Sequence, residues 1–177
     1  MLPAALAAVL IVSSCGGSDE ASTTDESSTV DSAVGSEVVG HYADGVYVSY
    51  AASVESATKM GDDIEAFLDD PTEDTLATAR KAWLTARPDY GVTEAFRFYG
   101  GPIDADDTGP EGRLNAWPMD ESYVDYVEGD PEAGIINDPD EYPTLDTDTL
   151  ASLNEAGGET NVSTGWHAIE FLLWGQD

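Results

Sequence analysis

An all-α fold is predicted by three features of the sequence. Apolar residues recur at helical spacing over long stretches. Helix start and stop signals separate those stretches. No group of segments alternates apolar and polar residues as a sheet would require. The architecture expected is an antiparallel helical bundle with long ordered loops between its later helices.

The first helical pattern runs from about Val38 to Leu68 and carries Val39, Tyr42, Val46, Tyr50, Val54, Ala57 and Ile64, with a loosening expected near Gly61. Asp69-Asp70-Pro71-Thr72-Glu73 ends it and starts the next: Asp70 as cap, Pro71 at the first helical position, Glu73 completing a capping box. Leu76, Ala79, Trp83 and Ala86 mark one face of the second helix. Pro88 is expected to interrupt or kink it, and the pattern resumes through Tyr90, Glu94 and Arg97 until Gly100-Gly101-Pro102 closes it. Residues 103–118 read as loop, 120–127 as a short helix and 129–143 as an acidic, proline-containing loop. Asp146 can cap a helix reaching about Glu155, and Thr164 can cap the terminal helix. Loops this long in a compact domain are often functional.

Charge narrows the function classes. The 177 residues carry 36 acidic against 6 basic side chains, a net charge of -30, and every Lys and Arg lies between Lys59 and Arg113. Nucleic acid is excluded as a partner, because phosphate binding needs clustered Lys and Arg. Adhesion to an anionic bilayer through a basic patch is excluded for the same reason. An acidic surface favours solubility and the attraction of cations.

The chain opens with an apolar run, Leu2 to Val12, too short to span a bilayer. It ends Val12-Ser13-Ser14-Cys15, a pattern resembling a bacterial lipobox, although no Lys or Arg precedes the run. Residues 1–15 are therefore expected to be a lipoprotein signal peptide, with Cys15 as the lipidated residue and the membrane contacted through that anchor. A plain secretory signal with an incidental cysteine is the alternative. Gly16 rather than Asp after the cysteine points to the outer membrane. Cys15 is the sole cysteine, so no intramolecular disulfide can form. Residues 16–35 are rich in Ser, Thr, Gly, Asp and Glu and read as a flexible tether. The folded domain is expected over residues 36–177.

Two constellations carry chemistry. His167 and Glu170 stand three residues apart, on one helix face, inside an apolar run between Trp166 and Trp174. Imidazole and carboxylate suit iron and zinc; a surface pair or a hydrogen-bonded core histidine is the plainer reading. The pair fits neither metallopeptidase pattern. H-E-x-x-H requires Glu where Ala168 stands, and H-x-x-E-H requires His where Phe171 stands. His41 is the one other histidine, a distant ligand or an ordinary helix-surface residue. The second constellation is Tyr90, Glu94 and Arg97, with Arg87 before it, at spacings that share a helix face. It reads as a local salt bridge, or as a further metal ligand, Glu94, beside an anion-orienting Arg97. The aspartates of the 129–143 loop lack the calcium-loop spacing and read as solvated.

Several ordered blocks resemble the imelysin family, which includes imelysin-like peptidases and iron-regulated proteins. They are Ala82-Trp83 to Arg87, Glu94-Ala95-Phe96-Arg97-Phe98-Tyr99-Gly100-Gly101-Pro102, Gly112-Arg113-Leu114-Asn115-Ala116-Trp117-Pro118, Tyr123 to Pro143, and the segment from Gly165 to Asp177. The family signature G-x-H-x-x-E falls on Gly165, His167 and Glu170. The resemblance implies a bacterial helical-bundle protein, secreted or lipid-anchored, that binds a metal through His167 and Glu170 between two bundle halves. Family members are longer, so this chain is expected to carry only the N-terminal half. Glu94 is expected as an added ligand, and Arg97, Tyr90, Trp83 and Gly165 as supporting residues. The leading functional expectation is metal binding in iron acquisition, with iron or zinc as the ion and iron-uptake proteins as partners. A zinc-dependent peptidase and an anchored interaction module with a structural motif are the alternatives.

Overall fold

The computed structural model describes residues 32–176; the expected signal peptide, Cys15 and most of the expected tether lie outside them. The described residues form an all-α fold. It comprises α1 (Ser32–Asp69), α2 (Glu73–Thr93), a 3-10 turn (Glu94–Phe96), α3 (Glu111–Asn115), α4 (Glu121–Val124), a second 3-10 turn (Ile135–Asn137), α5 (Thr147–Leu153) and α6 (Gly165–Trp174). Among the described residues the one extended pairing is an isolated bridge between Val127 and Asp130.

α1 begins earlier than the apolar pattern suggested, so residues 32–35 form helix rather than tether. It also runs unbroken through Gly61, where the chain has open space around it and no reason to bend. At 1.5 Å per residue α1 is about 57 Å long and α2 about 32 Å. The two pack against each other across a tight connection, so they run antiparallel and the first turns of α1 project past α2. Tyr42 and Tyr50 of α1 meet Phe96 just beyond α2, with ring centroids 5.7 and 6.5 Å apart.

The cap of α2 differs from the expectation. Thr72, not Asp70, is the N-cap: its hydroxyl accepts from Thr75 N–H at 3.2 Å, and Thr75 Oγ1 accepts from Thr72 N–H at 3.0 Å. This reciprocal box uses a threonine where Glu73 was expected, because the helix starts two residues later. Asp70 contributes its carbonyl, which accepts from Thr75 Oγ1 at 2.7 Å. Pro88 lies inside α2 without ending it. Both Pro88 and Leu84, whose carbonyl loses a donor to the proline, are on the exposed face, where water can replace the lost bond.

The core joins α1, α2 and α6. Ala79, Trp83, Ala86 and Tyr90 form a buried stripe on α2, and Met60 from α1 with Trp166 and Leu173 from α6 close over it. The two alanines are fully covered, which lets helices approach closely around the larger aromatic rings. A second set of buried residues, Val124, Ile135, Val162, Ala168 and Phe171, seats the long loops on the other side of α6. Residues 103–118 were expected to be loop throughout, yet they contain α3. Its five residues are too short to show a helical period. α4 starts at an Asp120 cap, which accepts from Ser122 N–H at 3.0 Å. α5 starts as expected at Asp146, which accepts from Thr149 N–H at 2.9 Å. That bond holds the Asp146 carboxyl below the usual carboxylate range.

Candidate metal centre

The position of α6 follows from a glycine. Gly165 has φ +89°, and a Cβ there would lie 2.5 Å from the Leu114 carbonyl oxygen and 2.7 Å from that of Arg113. A side chain at this point would therefore collide with the backbone at the end of α3, in a conformation L residues rarely adopt. Thr164 occupies the N-cap position but its side chain does not cap α6. Its hydroxyl donates to the Arg113 carbonyl at 2.9 Å instead, which ties the start of α6 to α3. Asn154 completes the clamp. Its Oδ1 accepts from the N–H groups of Ser163 and Thr164 at 3.1 and 3.2 Å, while its Nδ2 donates to the Gly112 carbonyl at 2.8 Å.

The other end and the flank of α6 are fixed by α2. Trp83 Nε1–H donates to the Trp166 carbonyl at 3.1 Å, and Arg80 Nε–H donates to the Leu173 carbonyl at 2.7 Å. The Trp83 ring lies edge-on to those of Trp166 and Trp174, at 6.2 and 5.5 Å. An arginine on the last carbonyls of a helix also complements its negative end.

So held, α6 presents His167 and Glu170 to a cleft of about 460 Å³. Trp83, Trp117, Met119, Glu121 and Trp174 line it with them. His167 Nδ1 is 3.2 Å from Glu170 Oε2, with the two side chains 19% and 43% exposed: sheltered, yet reachable. The Trp117 ring packs on the imidazole at 4.7 Å. Two ligands held about 2.1 Å from one ion lie about 3.0–3.4 Å apart. The observed separation therefore suits joint coordination of an ion. It equally suits an Nδ1–H donated to the carboxylate, which leaves Nε2 as the ligand and Glu170 as its orienter. Both arrangements use the pair, and the donor set fits a borderline first-row ion. Among the described residues no three His, Cys, Asp or Glu side chains are grouped closely enough to hold an ion by themselves.

The second constellation lies elsewhere. α2 ends at Thr93, so Tyr90 is on the helix, Glu94 is in the 3-10 turn and Arg97 follows in extended backbone. Glu94 was expected as a further ligand beside His167, but it does not line their cleft. Its Oε1 instead accepts from Asn115 Nδ2 at 2.8 Å and pairs with Arg97 at 3.4 Å. Arg97 pairs more closely with Glu111, at 2.7 Å. Asn115 in turn accepts from Arg87 Nη2 at 2.8 Å, and Arg87 lies over the rings of Tyr90 and Trp166. The Tyr90 hydroxyl and Arg97 Nε are buried without a hydrogen-bond partner among the described residues. Burial first, and then the nearby Glu111 carboxylate, push the Tyr90 hydroxyl up to about 12. His41 is an exposed helix-surface residue, 3.9 Å from Glu37, far from any role in the cleft.

Trp117, Met119, Asn154, Asn115, Glu111 and Arg80 were not singled out from the sequence. Single polar or aromatic residues in loops, in a five-residue helix or on the polar face of α2 have no period that marks their partners, and only the tertiary structure shows what they meet.

An all-α protein whose terminal helix offers an imidazole–carboxylate pair to an aromatic cleft is, by construction, a candidate metal-binding protein. The family model described as Imelysin matches residues 46–177, and the chain belongs to the imelysin family. It is similar to iron-regulated protein A of Synechococcus elongatus, with 35% identity over 75 residues that cover 42% of this chain and 20% of the relative. The similarity thus spans a fifth of that protein's length. No helix among the described residues is long and apolar enough to cross a membrane.

Proposed function

We propose that this chain is a metal-binding protein of the bacterial cell envelope that serves iron acquisition. The observation that carries this reading is the His167–Glu170 pair, 3.2 Å apart in a cleft and free of ion pairing to Lys or Arg among the described residues. Among the described residues the partner of Glu170 is the His167 imidazole, and no lysine or arginine claims its carboxylate. His167 supplies a borderline nitrogen donor, Glu170 an oxygen donor or an orienting acceptor, and the aromatic walls restrict water around the ion. Water completes the coordination shell. The iron-regulated relative and the excess of acidic residues support iron as the cargo.

The same reading takes residues 1–15 as a signal peptide, Cys15 as the lipid anchor, and the outer membrane as the place of attachment. Release of iron to uptake proteins in the same compartment follows from an anchored, acidic carrier.

Titration of the purified protein with ferrous iron and zinc, with elemental analysis of the product, tests the reading. One ion per chain is expected, lost in His167→Ala while the circular-dichroism spectrum stays helical. Equal metal content in His167→Ala and the parent would overturn it. Peptide hydrolysis that follows metal content and disappears in Glu170→Ala would replace it with the peptidase reading. Labelled fatty acid incorporated by the parent but not by Cys15→Ala tests the anchor.

A further inference from the structure

The cleft contains a donor that iron does not need. Met119 is half-buried in the loop between α3 and α4 and lines the same cleft as His167 and Glu170. Its backbone is held on the C-terminal side. The neighbouring Asp120 N–H donates to the Thr160 carbonyl at 2.8 Å, and the Asp120 carboxylate caps α4. Trp117, two residues before it, packs on the His167 ring. The thioether is thus carried on a short, anchored segment whose other side chain already touches the imidazole.

Three of the chain's four tryptophans, Trp83, Trp117 and Trp174, line this cleft. A structural role accounts for Trp83, which is buried in the core, and for Trp174, whose ring meets Trp83 at 5.5 Å and carries the Arg80 guanidinium, but not for the 66% exposure of Trp117. Indole faces attract cations when little water intervenes.

We propose that this cleft also takes cuprous copper, bound by His167 and the Met119 sulfur, with Trp117 over the ion. Thioethers are soft ligands that select Cu(I) over ferrous iron and zinc, whereas imidazole serves all three. Cuprous ion is satisfied by few ligands, and among the described residues no third His, Cys, Asp or Glu is grouped with the pair closely enough to hold an ion. Met119 is then the residue that sets metal preference. The inference rests on the cleft being the metal site proposed above.

The test is an anaerobic titration of the whole protein with Cu(I) against a chromophoric Cu(I) chelator, read also by tryptophan fluorescence and by X-ray absorption at the copper edge. One Cu(I) per chain, quenched fluorescence and a sulfur scatterer are expected. Met119→Leu, which conserves volume, is expected to weaken Cu(I) at least tenfold and to leave ferrous iron and zinc within twofold. His167→Ala is expected to weaken all three. If Met119→Leu leaves Cu(I) affinity unchanged, or the parent shows no sulfur scatterer, the copper inference falls while the iron reading stands. If His167→Ala changes no metal, both fall. The absorption spectrum is also taken on Cys15→Ser, which removes the chain's one thiol, so a sulfur scatterer there reports a thioether even if Met119→Leu folds poorly.

Discussion

Two parts of this molecule hold carboxylates near nitrogen-bearing side chains, and they put them to opposite uses. In the network around Arg97, two carboxylates close on one guanidinium, Asn115 takes up Glu94, and Arg87 takes up Asn115. Each carboxylate there meets an opposite charge or a donor, so neither is left for a cation. In the cleft on α6, the partner of Glu170 among the described residues is an imidazole, and both remain reachable. The lesson is that a carboxylate's chemistry depends less on its being acidic than on whether a fixed cation has already claimed it. In a chain with 36 acidic residues and 6 basic ones, the few arginines decide which carboxylates are structural.

The contrast can be broken first at the backbone. Gly165→Ala is expected to cost about 3 kcal/mol of stability, because it combines a positive φ with a clash against the Leu114 and Arg113 carbonyls. Metal affinity falls with it, as α6 can no longer approach α3. Urea unfolding followed by circular dichroism measures the first effect, and zinc titration below the transition measures the second.

Arg97→Met separates the two regions. It leaves Glu111 and Glu94 without their cation and is expected to cost about 2 kcal/mol, discounted for the partial exposure of Glu94. Metal affinity at His167 should stay within twofold. A tenfold loss of metal binding in Arg97→Met or in Glu94→Gln would mean that the network and the cleft act as one site.

His167→Ala is the converse. If the proposed function holds, it is expected to weaken metal binding at least tenfold while costing less than about 1 kcal/mol, since the ring packs against the exposed Trp117. Thermal melts of the two metal-free proteins should nearly coincide.

The smallest effect is at Tyr90. Its hydroxyl is buried without a partner among the described residues, so Tyr90→Phe is expected to leave neutral-pH stability within about 1 kcal/mol of the parent. The alkaline limb is more telling. Because the folded phenol is pushed up to about 12 from the ordinary value near 10, its contribution is intact below pH 10 and is lost as pH rises toward 12. Tyr90→Phe should flatten that part of the stability–pH curve; an unchanged slope would show that Tyr90 is not the group responsible.

Much of this was legible in the linear chain. The helical spacing of Leu76 to Tyr90 marked α2, because a buried stripe on a helix leaves a period; the spacing of Val39 to Leu68 marked α1 as a helix but not its buried face, since Val39, Tyr42, Val54 and Leu68 are exposed and Ser53 and Met60 are the buried positions. Asp146 marked the start of α5, because a cap is a local bond between residues close in sequence. The H-x-x-E spacing marked His167 and Glu170, because residues three apart on a helix share a face. Where the linear reading erred, the deciding contact was a choice among near neighbours or a contact from far away. Thr72 displaced Asp70 as the cap of α2 by a shift of two residues. Thr164 gave its hydroxyl to Arg113, 51 residues earlier, rather than to its own helix.

By itself, then, the sequence determined the all-α class, the two long helices, the acidic character and the pairing of His167 with Glu170, all of which rest on local spacing or simple composition. Only the tertiary structure decided that Glu94 belongs to Arg97 and Asn115 rather than to the histidine. It alone showed why position 165 admits only glycine, and which of the four tryptophans surround the site together with Met119. Those outcomes depend on which distant segments meet when α6 closes against α2 and α3, and neither spacing nor composition encodes such a meeting in a form that can be read locally.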